Sequence, residues 1–292
     1  AVLSKRQPGS SFKPYVYEAA LKDHKITLAS TLQDKPTDFG GGYRPLDFDN
    51  RFEGNLSART ALVESRNVPA VQVGQMEGMT RVADLAHSMG VESQIQNVPS
   101  AAIGSSELTM YEHLQGYQTF ANQGKKVPLM AITSIADTSG NTLYQQDPGK
   151  QDGQANVLSA AEAYLITDVL KNYSSQWGLG WQRQMAGKSG TTGGSETGVH
   201  KDAWMMAYNP DIVAGAWGGN TNAGGGAQTI SAFGTEVGQY MLGEFINGLP
   251  ASYKDWYKQP DGIVSGRGCP GNKDASSELF LAGTENDPKC GN

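Results

Sequence analysis

The sequence is poor in the residue types that build metal sites and His-based catalytic triads. Its 292 residues include two cysteines and four histidines. No histidine has an aspartate at a spacing typical of a Ser-His-Asp triad, and two cysteines with no histidine between them are too few for structural zinc. We therefore predict no metal site. The histidines are scattered along the chain: His24, His87, His113 and His200.

Long runs of charge and of apolar residues are also lacking. Lys and Arg number 23 and Asp and Glu 29, giving a net charge of -6 without a basic run, which argues against a nucleic-acid partner. No apolar stretch reaches the roughly 18 residues of a membrane-spanning helix, and no signal peptide is recognisable. The length suits one large domain or two small ones.

The two cysteines, Cys269 and Cys290, both lie near the end of the chain. We favour a disulfide between them, which is typical of an oxidising compartment. Two unpaired thiols in a flexible tail are the alternative.

Apolar periodicity predicts helices before strands along the chain. Residues 203–208 and 212–217, joined by a turn at 209–211, predict an antiparallel hairpin, and 127–146 predicts a second one. This order indicates an α+β fold rather than a doubly wound one. Residues 31–54 form a Gly-, Pro- and Asp-rich loop, long enough to suspect a functional role. The predicted helices span residues 11–23, 55–65, 79–90, 108–124, 159–173 and 227–248.

GKSG at residues 187–190 raises the possibility of a phosphate-binding loop. That motif needs a glycine five positions before Gly187, where this sequence has Gln182. The residues that follow also predict a turn and a strand rather than a helix. We therefore exclude nucleotide binding and predict no cofactor.

Three other short motifs occur along the chain. Ser-x-x-Lys occurs once, at Ser10 and Lys13, and Lys-Ser-Gly occurs once, at 188–190. Ser-x-Asn occurs at 139–141, where a hairpin turn explains it, and at 65–67, where it ends a predicted helix. Each motif alone is weak evidence, but the three in this order and context are strong evidence for a serine acyltransferase that recognises penicillin.

The residue types fit nucleophilic catalysis. A serine hydroxyl needs a nearby base, and positions three apart on a helix share a face, so Lys13 can approach the Ser10 hydroxyl. Lys13 is neutral only if it is desolvated and close to other cations, and we expect Lys188 to supply that repulsion. The Ser10 N–H at a helix start is suited to a developing oxyanion.

The blocks QPGSSFKP, ESRNVPAVQV, AGKSGTTGG and LFLAGTENDPKC resemble the transpeptidase domain of class A, bifunctional penicillin-binding proteins. The similarity covers nearly the whole chain and is weakest across residues 31–56 and in the tail. It implies a penicillin-binding transpeptidase or serine β-lactamase-like fold, in which an antiparallel sheet is packed between helices beside an all-helical subdomain. We expect this domain to span residues 1–250 and an irregular tail to span 251–292.

The resemblance also implies roles for the motif residues. Ser65 is expected to relay a proton between Lys13 and Lys188 to the leaving amine, while Asn67 hydrogen-bonds the acylated stem peptide. The Thr191 N–H is the implied second oxyanion donor. We expect Arg66, between Ser65 and Asn67, to be solvated. The resemblance implies that the substrate-binding part of the Lys-Ser-Gly strand is Ser189, Gly190 and Thr191. In this assignment the hydroxyls of Ser189 and Thr191 hold the terminal carboxylate of D-Ala-D-Ala.

Peptidoglycan stem peptides, as D-Ala-D-Ala donor and amine acceptor, are the implied partners, and β-lactams the implied inhibitors. The family's sheet includes two strands before the serine helix, whereas nine residues precede Ser10 here. We therefore expect the native protein to extend through these strands to a glycosyltransferase domain and a membrane anchor, at the extracytoplasmic face of a bacterial membrane.

Two other functions share these motifs. A β-lactamase hydrolyses its acyl-enzyme, and class A enzymes of that kind use an additional glutamate acting through water. No Glu-x-x-Leu-Asn segment lies between Asn67 and Lys188, and we assign Glu107 and Glu112 to a transpeptidase-like block. A β-lactam sensor domain without wall chemistry is the other alternative. We expect Trp204 and Trp217 in the core, and Tyr43 outside the cleft.

Overall fold

The computed structural model describes residues 2–147, 154–193, 199–220, 229–253, 255–272 and 277–290. Within these ranges, 3-10 turns span Gly9–Phe12 and Pro99–Ile103. The helices are α1 Lys13–Lys22, α2 Ala58–Val63, α3 Asn67–Glu77, α4 Met79–Ser88, α5 Met110–Ala121, α6 Ala160–Leu170, α7 Tyr173–Gln176, α8 Gly234–Glu236, a π-helix Val237–Leu242 and α9 Gly243–Asn247. The strands are β1 Thr31–Asp34, β2 Gly54–Ser57, β3 Lys125–Lys126, β4 Ser134–Ala136, β5 Thr142–Gln145, β6 Ala155–Asn156, β7 Ala186–Thr192, β8 Asp202–Tyr208, β9 Val213–Gly219, β10 Ile263–Gly266 and β11 Glu278–Leu281.

A three-stranded antiparallel sheet in the order β7-β8-β9 lies between two apolar layers. Successive side chains of a strand point to opposite faces, and β8 is buried on both. Trp204 and its alternate neighbours join the core formed with α1, α5 and α6, whereas Met205 and its alternate neighbours pack with the π-helix. Helices α1, α3 and α4 pack together on one side of this sheet. The predicted α+β architecture is confirmed.

The remaining strands form two-stranded antiparallel pairs: β1 with β2, β3 with β6, β4 with β5, and β10 with β11. The hairpin predicted over 127–146 is therefore present, as is the hairpin of β8 and β9. Within the described residues, β8 is the only strand that pairs with β9, so the second edge of β9 carries no strand partner.

Two predicted helices begin later than their apolar spacing suggests. Residues 55–57 belong to β2, because they pair with β1, and the Ser57 hydroxyl then caps α2. The final helix begins at Gly234 and not at residue 227, since the Ile230 backbone instead bonds to the His200 backbone. Residues 227 and 228 lie outside the described residues. None of the described helices has the length and apolar character needed to cross a bilayer.

The carboxyl-terminal segment, expected to be irregular over 251–292, contains the β10–β11 pair. Cys269 and Cys290 form a disulfide, which confirms that prediction. Glu278 is buried and accepts two hydrogen bonds from the Arg59 guanidinium, at 2.8 and 2.6 Å. The polar composition of the segment concealed this order, which combines the Arg59–Glu278 contact with burial of Ile263 and Phe280.

Candidate active site

A cavity of about 370 Å³ opens where three segments meet. These segments are the 3-10 turn with Ser10, the connection from α2 to α3 with Ser65, and strand β7. Other walls come from the loop between β1 and β2 and from the start of α8. The predicted site residues that line this cavity are Ser10, Ser65, Asn67, Ser189 and Thr191.

Close backbone packing fixes Ser10 against β7. Gly190 lies so near the turn that a Cβ atom on it would be 1.9 Å from the Pro8 carbonyl oxygen. A Cβ on Gly9 would be 2.7 Å from the Thr191 carbonyl oxygen, and Gly9 has a positive φ of 55°. Glycine is therefore required on both sides of this contact. Gly190 shapes the cleft from behind and does not line it.

Lys13 opens helix α1 and is completely buried. Its Nζ donates to the Ser65 carbonyl oxygen at 2.5 Å and to Asn67 Oδ1 at 2.7 Å. The same Nζ lies 3.5 Å from Ser65 Oγ and 3.1 Å from the Arg66 carbonyl oxygen. These contacts hold the amine at the floor of the cleft.

Ser65 adopts a left-handed backbone conformation with φ of 64°, which is costly for a residue with a side chain. Two hydrogen bonds end helix α2 around it: Ser65 N–H donates to the Leu62 carbonyl, and Arg66 N–H donates to the Ala61 carbonyl. This is the Schellman arrangement, in which the left-handed position is usually glycine. Such strain at a buried hydroxyl is the kind of outlier that points to function.

Lys188, on β7, is also completely buried. Its Nζ donates to Ser65 Oγ at 2.7 Å and to the Ser189 carbonyl oxygen at 3.1 Å. The Tyr173 hydroxyl lies 3.5 Å away, and the amine sits 4.9 Å from the centre of the Tyr173 ring. The Ser65 hydroxyl therefore lies between two lysine amines.

Burial is the largest cause that lowers the pKa of each lysine. The pKa of Lys13 falls from 10.5 to about 7, with the Asp47 charge opposing the fall and the Arg66 charge adding to it. The pKa of Lys188 falls well below its ordinary value, first by burial and then by the charge of Lys13. Desolvation and repulsion between the two lysines were thus predicted correctly, whereas the contribution of Arg66 to the lowered pKa of Lys13 was not.

Arg66 is buried, contrary to the prediction that it is solvated. Its Nη1 lies 3.1 Å from Asp49 Oδ1, and its Nε lies 3.3 Å from Glu64 Oε2. A guanidinium surrounded by carboxylates satisfies its donors without water, which explains the burial. Asp47, which the motifs did not single out, accepts a hydrogen bond from the Asn67 N–H.

The substrate-binding part of β7 is held by two further contacts. The Tyr173 hydroxyl lies 2.6 Å from Ser189 Oγ, and the Gly234 N–H donates to Thr191 Oγ1 at 3.0 Å. Tyr173 lies in a short helix that has no sequence motif. The sequence alone therefore did not predict its contact with Ser189.

Sequence reasoning missed several residues of the cleft wall. Tyr43 lines the cavity, contrary to expectation, and so do Phe48 and Trp177, whose rings are 5.3 Å apart. His200 lines the cavity as well. The length of the loop at 31–54 was the available signal for Tyr43 and Phe48, whereas nothing in the pattern marked the others. Trp204 is a core residue, as predicted.

The chain is similar to known proteins in both sequence and fold. A family model described as "Penicillin binding protein transpeptidase domain" matches residues 1–229. Penicillin-binding protein 1B of Vibrio cholerae is 34% identical over 225 residues, covering 73% of this chain and 28% of that protein. Penicillin-binding protein 1A of Pseudomonas aeruginosa is 30% identical over 276 residues, covering 75% of this chain and 33% of that protein.

Solved structures show the same fold. Penicillin-binding protein 1A from Haemophilus influenzae aligns with a TM-score of 0.76 and 24% identity, covering 97% of this chain and 49% of that chain. PonA1 from Mycobacterium tuberculosis in complex with penicillin V aligns with a TM-score of 0.77 and 19% identity, covering 96% and 76%. The chain spans about a third of the length of the curated relatives. By its family match and these relatives, the chain belongs to the penicillin-binding protein transpeptidase domain family.

Proposed function

We propose that this domain is a serine D,D-transpeptidase that crosslinks peptidoglycan stem peptides and is acylated by β-lactams. The observation that carries the proposal is the position of the Ser65 hydroxyl between the buried amines of Lys13 and Lys188, in the cleft that Ser10 lines. Both amines have lowered pKa values, so the site holds a base at neutral pH.

In the acylation step, Ser10 Oγ attacks the carbonyl carbon of the D-Ala-D-Ala bond while the neutral amine of Lys13 accepts its proton. The C–N bond then breaks, and a proton passes through Ser65, beside Lys188, to the leaving D-Ala amine. The result is an ester between Ser10 and the stem peptide. An amine of a second stem peptide then attacks this ester, Ser10 recovers its proton, and the new amide is the crosslink.

Backbone donors and hydroxyls would stabilise these states. The N–H groups of Ser10 and Thr191 form the oxyanion hole in this proposal, supported by the tight contact of the Gly9 and Thr191 backbones. The hydroxyls of Ser189 and Thr191 hold the terminal carboxylate, and Asn67 hydrogen-bonds the acylated peptide. Both hydroxyls line the cleft with Ser10.

The cleft favours transpeptidation over β-lactam hydrolysis. Among the described residues, no Asp or Glu lines the cavity, so none of the carboxylates in this part of the chain is placed to activate a deacylating water. Glu112 is occupied elsewhere: its carboxylate accepts from the N–H groups of Ser93 and Thr109. We therefore expect a long-lived penicilloyl ester.

Intact mass spectrometry after brief exposure to penicillin tests this proposal. One adduct should form, last for hours and map to Ser10. Ser10→Ala should abolish it. Ser11→Ala is the matched control and should retain most of it, because the Ser11 hydroxyl faces Pro8 and His113 rather than the cleft. An adduct on Ser65 would contradict the assignment of Ser10 as the nucleophile. Loss of the added mass within seconds would indicate a β-lactamase.

Turnover separates an enzyme from a sensor. A donor peptide ending in D-Ala-D-Ala, mixed with an amine-bearing stem peptide, should release D-Ala and yield a crosslinked product detectable by mass spectrometry. Penicillin should suppress both products. Stable acylation by penicillin without any turnover of the two-peptide substrate would support the sensor alternative.

We further propose that the domain works within a longer protein that carries a glycosyltransferase domain and a membrane anchor, at the extracytoplasmic face. Two observations support this: the chain spans about a third of the length of the curated relatives, and the described residues leave one edge of β9 without a strand. An unpaired edge in water favours aggregation, so strands from a preceding segment would protect it.

Labelling of the host cells with a fluorescent penicillin tests this arrangement. The labelled band should be much larger than 31.1 kDa, fractionate with membranes and be accessible to protease from the extracytoplasmic side. A labelled band of about the size of this chain in the cytosolic fraction would refute the proposal.

A further inference from the structure

Two carboxyl groups lie buried behind the Lys13 amine and have no place in the mechanism above. Asp34 ends β1, and Asp47 lies in the loop between β1 and β2; both are completely buried. Asp47 Oδ1 accepts from the Asn67 N–H, and Asn67 Oδ1 in turn accepts from Lys13 Nζ. Asp47 is therefore linked to Lys13, the proposed base, through a single residue, Asn67.

The two carboxyls lie close enough together for Asp34 to raise the pKa of Asp47. Asp34 Oδ2 accepts from the Glu53 N–H at 2.9 Å, whereas Asp34 Oδ1 and Asp47 Oδ2 face no N–H or O–H donor among the described residues. A carboxylate cannot donate, so two buried carboxylate oxygens without a donor favour the protonated form of one carboxyl. Burial raises the pKa of Asp47 accordingly, which places a titrating carboxyl close to the Lys13 amine.

We propose that Asp47 is a positioning residue whose charge sets the protonation state of Lys13. When Asp47 is a carboxylate, its negative charge stabilises the ammonium form of Lys13, which cannot accept the Ser10 proton. When Asp47 is neutral, the buried amine loses that stabilisation and becomes a base. This inference rests on the proposed role of Lys13 as general base.

The other charged groups around Lys13 and Asp47 do not remove this dependence. Arg66, from the α2–α3 connection, opposes a charge on Lys13, and Lys188 carries a second buried amine across the Ser65 hydroxyl. The pKa of Asp47 is raised to about 7, first by burial and then by Asp34, and that of Lys13 is lowered to about 7. Both groups therefore change charge in the same pH range. The phenol of Tyr17 is buried near the two carboxyls, and its pKa is raised first by burial and then by their charges.

Asp47→Asn tests the proposal, because the amide keeps an oxygen for the Asn67 N–H and gains an N–H for Asp34, yet carries no charge. The assay is the rate of acylation by a fluorescent penicillin between pH 5 and 9. Removing a negative charge lowers the pKa of Lys13, so the acid limb should move to lower pH by up to about one unit, with acylation up to about tenfold faster around and just above pH 7. Near pH 5, where wild-type Asp47 is already neutral, the two proteins should react at the same rate.

Asp49→Asn is the matched control. Asp49 is on the same loop and pairs with Arg66, whereas the charges that chiefly shift the pKa of Lys13 are those of Asp47, Arg66 and Asp34. The acid limb of the Asp49→Asn variant should therefore stay close to the wild-type pH. If Asp47→Asn does not fold, Asp34→Asn replaces it, since Asp34 also raises the pKa of Lys13. An unchanged or raised midpoint, with acylation slowed equally at every pH, overturns the proposal and leaves Asp47 as a support for the Ser65–Asn67 turn. Wild-type protein that is not acylated at Ser10 would instead overturn the proposed function.

Discussion

Replacing Ser65 by glycine or by alanine separates the strain at this position from its chemistry. Both changes remove the hydroxyl, and with it the 2.7 Å hydrogen bond from Lys188. Only glycine removes the penalty of a side chain at φ of 64°. The two variants should therefore lose activity alike and differ in stability.

The expected magnitudes follow from these contacts. Loss of the hydrogen bond costs about 1 kcal/mol in both variants. Glycine raises the free energy of unfolding by roughly 1–2 kcal/mol because it is not strained in the left-handed conformation. Its greater freedom in the unfolded chain lowers the same free energy by about 0.4–1 kcal/mol. Ser65→Gly should thus be more stable than Ser65→Ala by about 1 kcal/mol. In a chain of this size that corresponds to a Tm difference of about 2 °C.

Thermal unfolding and penicillin acylation should be measured on the same preparations. Loss of the proton relay should slow acylation by about 10²- to 10⁴-fold in both variants. Equal Tm values would show that Ser65 is not strained. Wild-type acylation rates in either variant would remove the hydroxyl from the mechanism.

Three further outcomes are expected. Because only neutral Lys13 accepts a proton and its pKa is lowered to about 7, wild-type acylation should rise with pH through an acid limb near pH 7; a flat profile between pH 5 and 9, measured with fluorescent penicillin, would exclude this base. Gly190→Ala places a Cβ 1.9 Å from the Pro8 carbonyl oxygen and should displace the turn that carries Ser10. A shift of about 1 Å should slow acylation in the same assay by about 100-fold, whereas near-normal rates would mean that the contact relaxes freely. The Cys269–Cys290 disulfide closes a 21-residue separation and should contribute about 3 kcal/mol, so thiol titration of the unreduced, unfolded protein should find no thiol in this pair, and denaturation after reduction should show the loss.

Local patterns predicted those parts of the fold that depend on local periodicity. The helix expected over residues 79–90 is present as α4, and the hairpin expected at 203–217 is present as β8 and β9. An amphipathic period or a strand–turn–strand pattern carries its own structural information. The helix expected from residue 227 begins later than its apolar spacing predicts, because the backbone of Ile230 hydrogen-bonds to the backbone of His200.

The chemistry of the site was visible in the sequence as three motifs. The structure brings Lys13, Ser65, Asn67 and Lys188 into direct hydrogen bonding, and Ser10 lines the same cavity. A short motif reveals residue types and spacing, since those are written in the chain. The motif therefore indicated which side chains to examine, but not the charge that each one carries.

Only the tertiary structure decided those charges. Lys13 and Lys188 have lowered pKa values because folding removes both amines from water, and the loop between β1 and β2 brings the Asp47 carboxyl towards the site. Arg66 reads as a solvated residue in the sequence, yet it is buried because carboxylates from distant positions surround it. Sequence alone determined the family, the motifs and the local elements; desolvation and long-range charge are properties of the packed chain, so the protonation of the site required the fold.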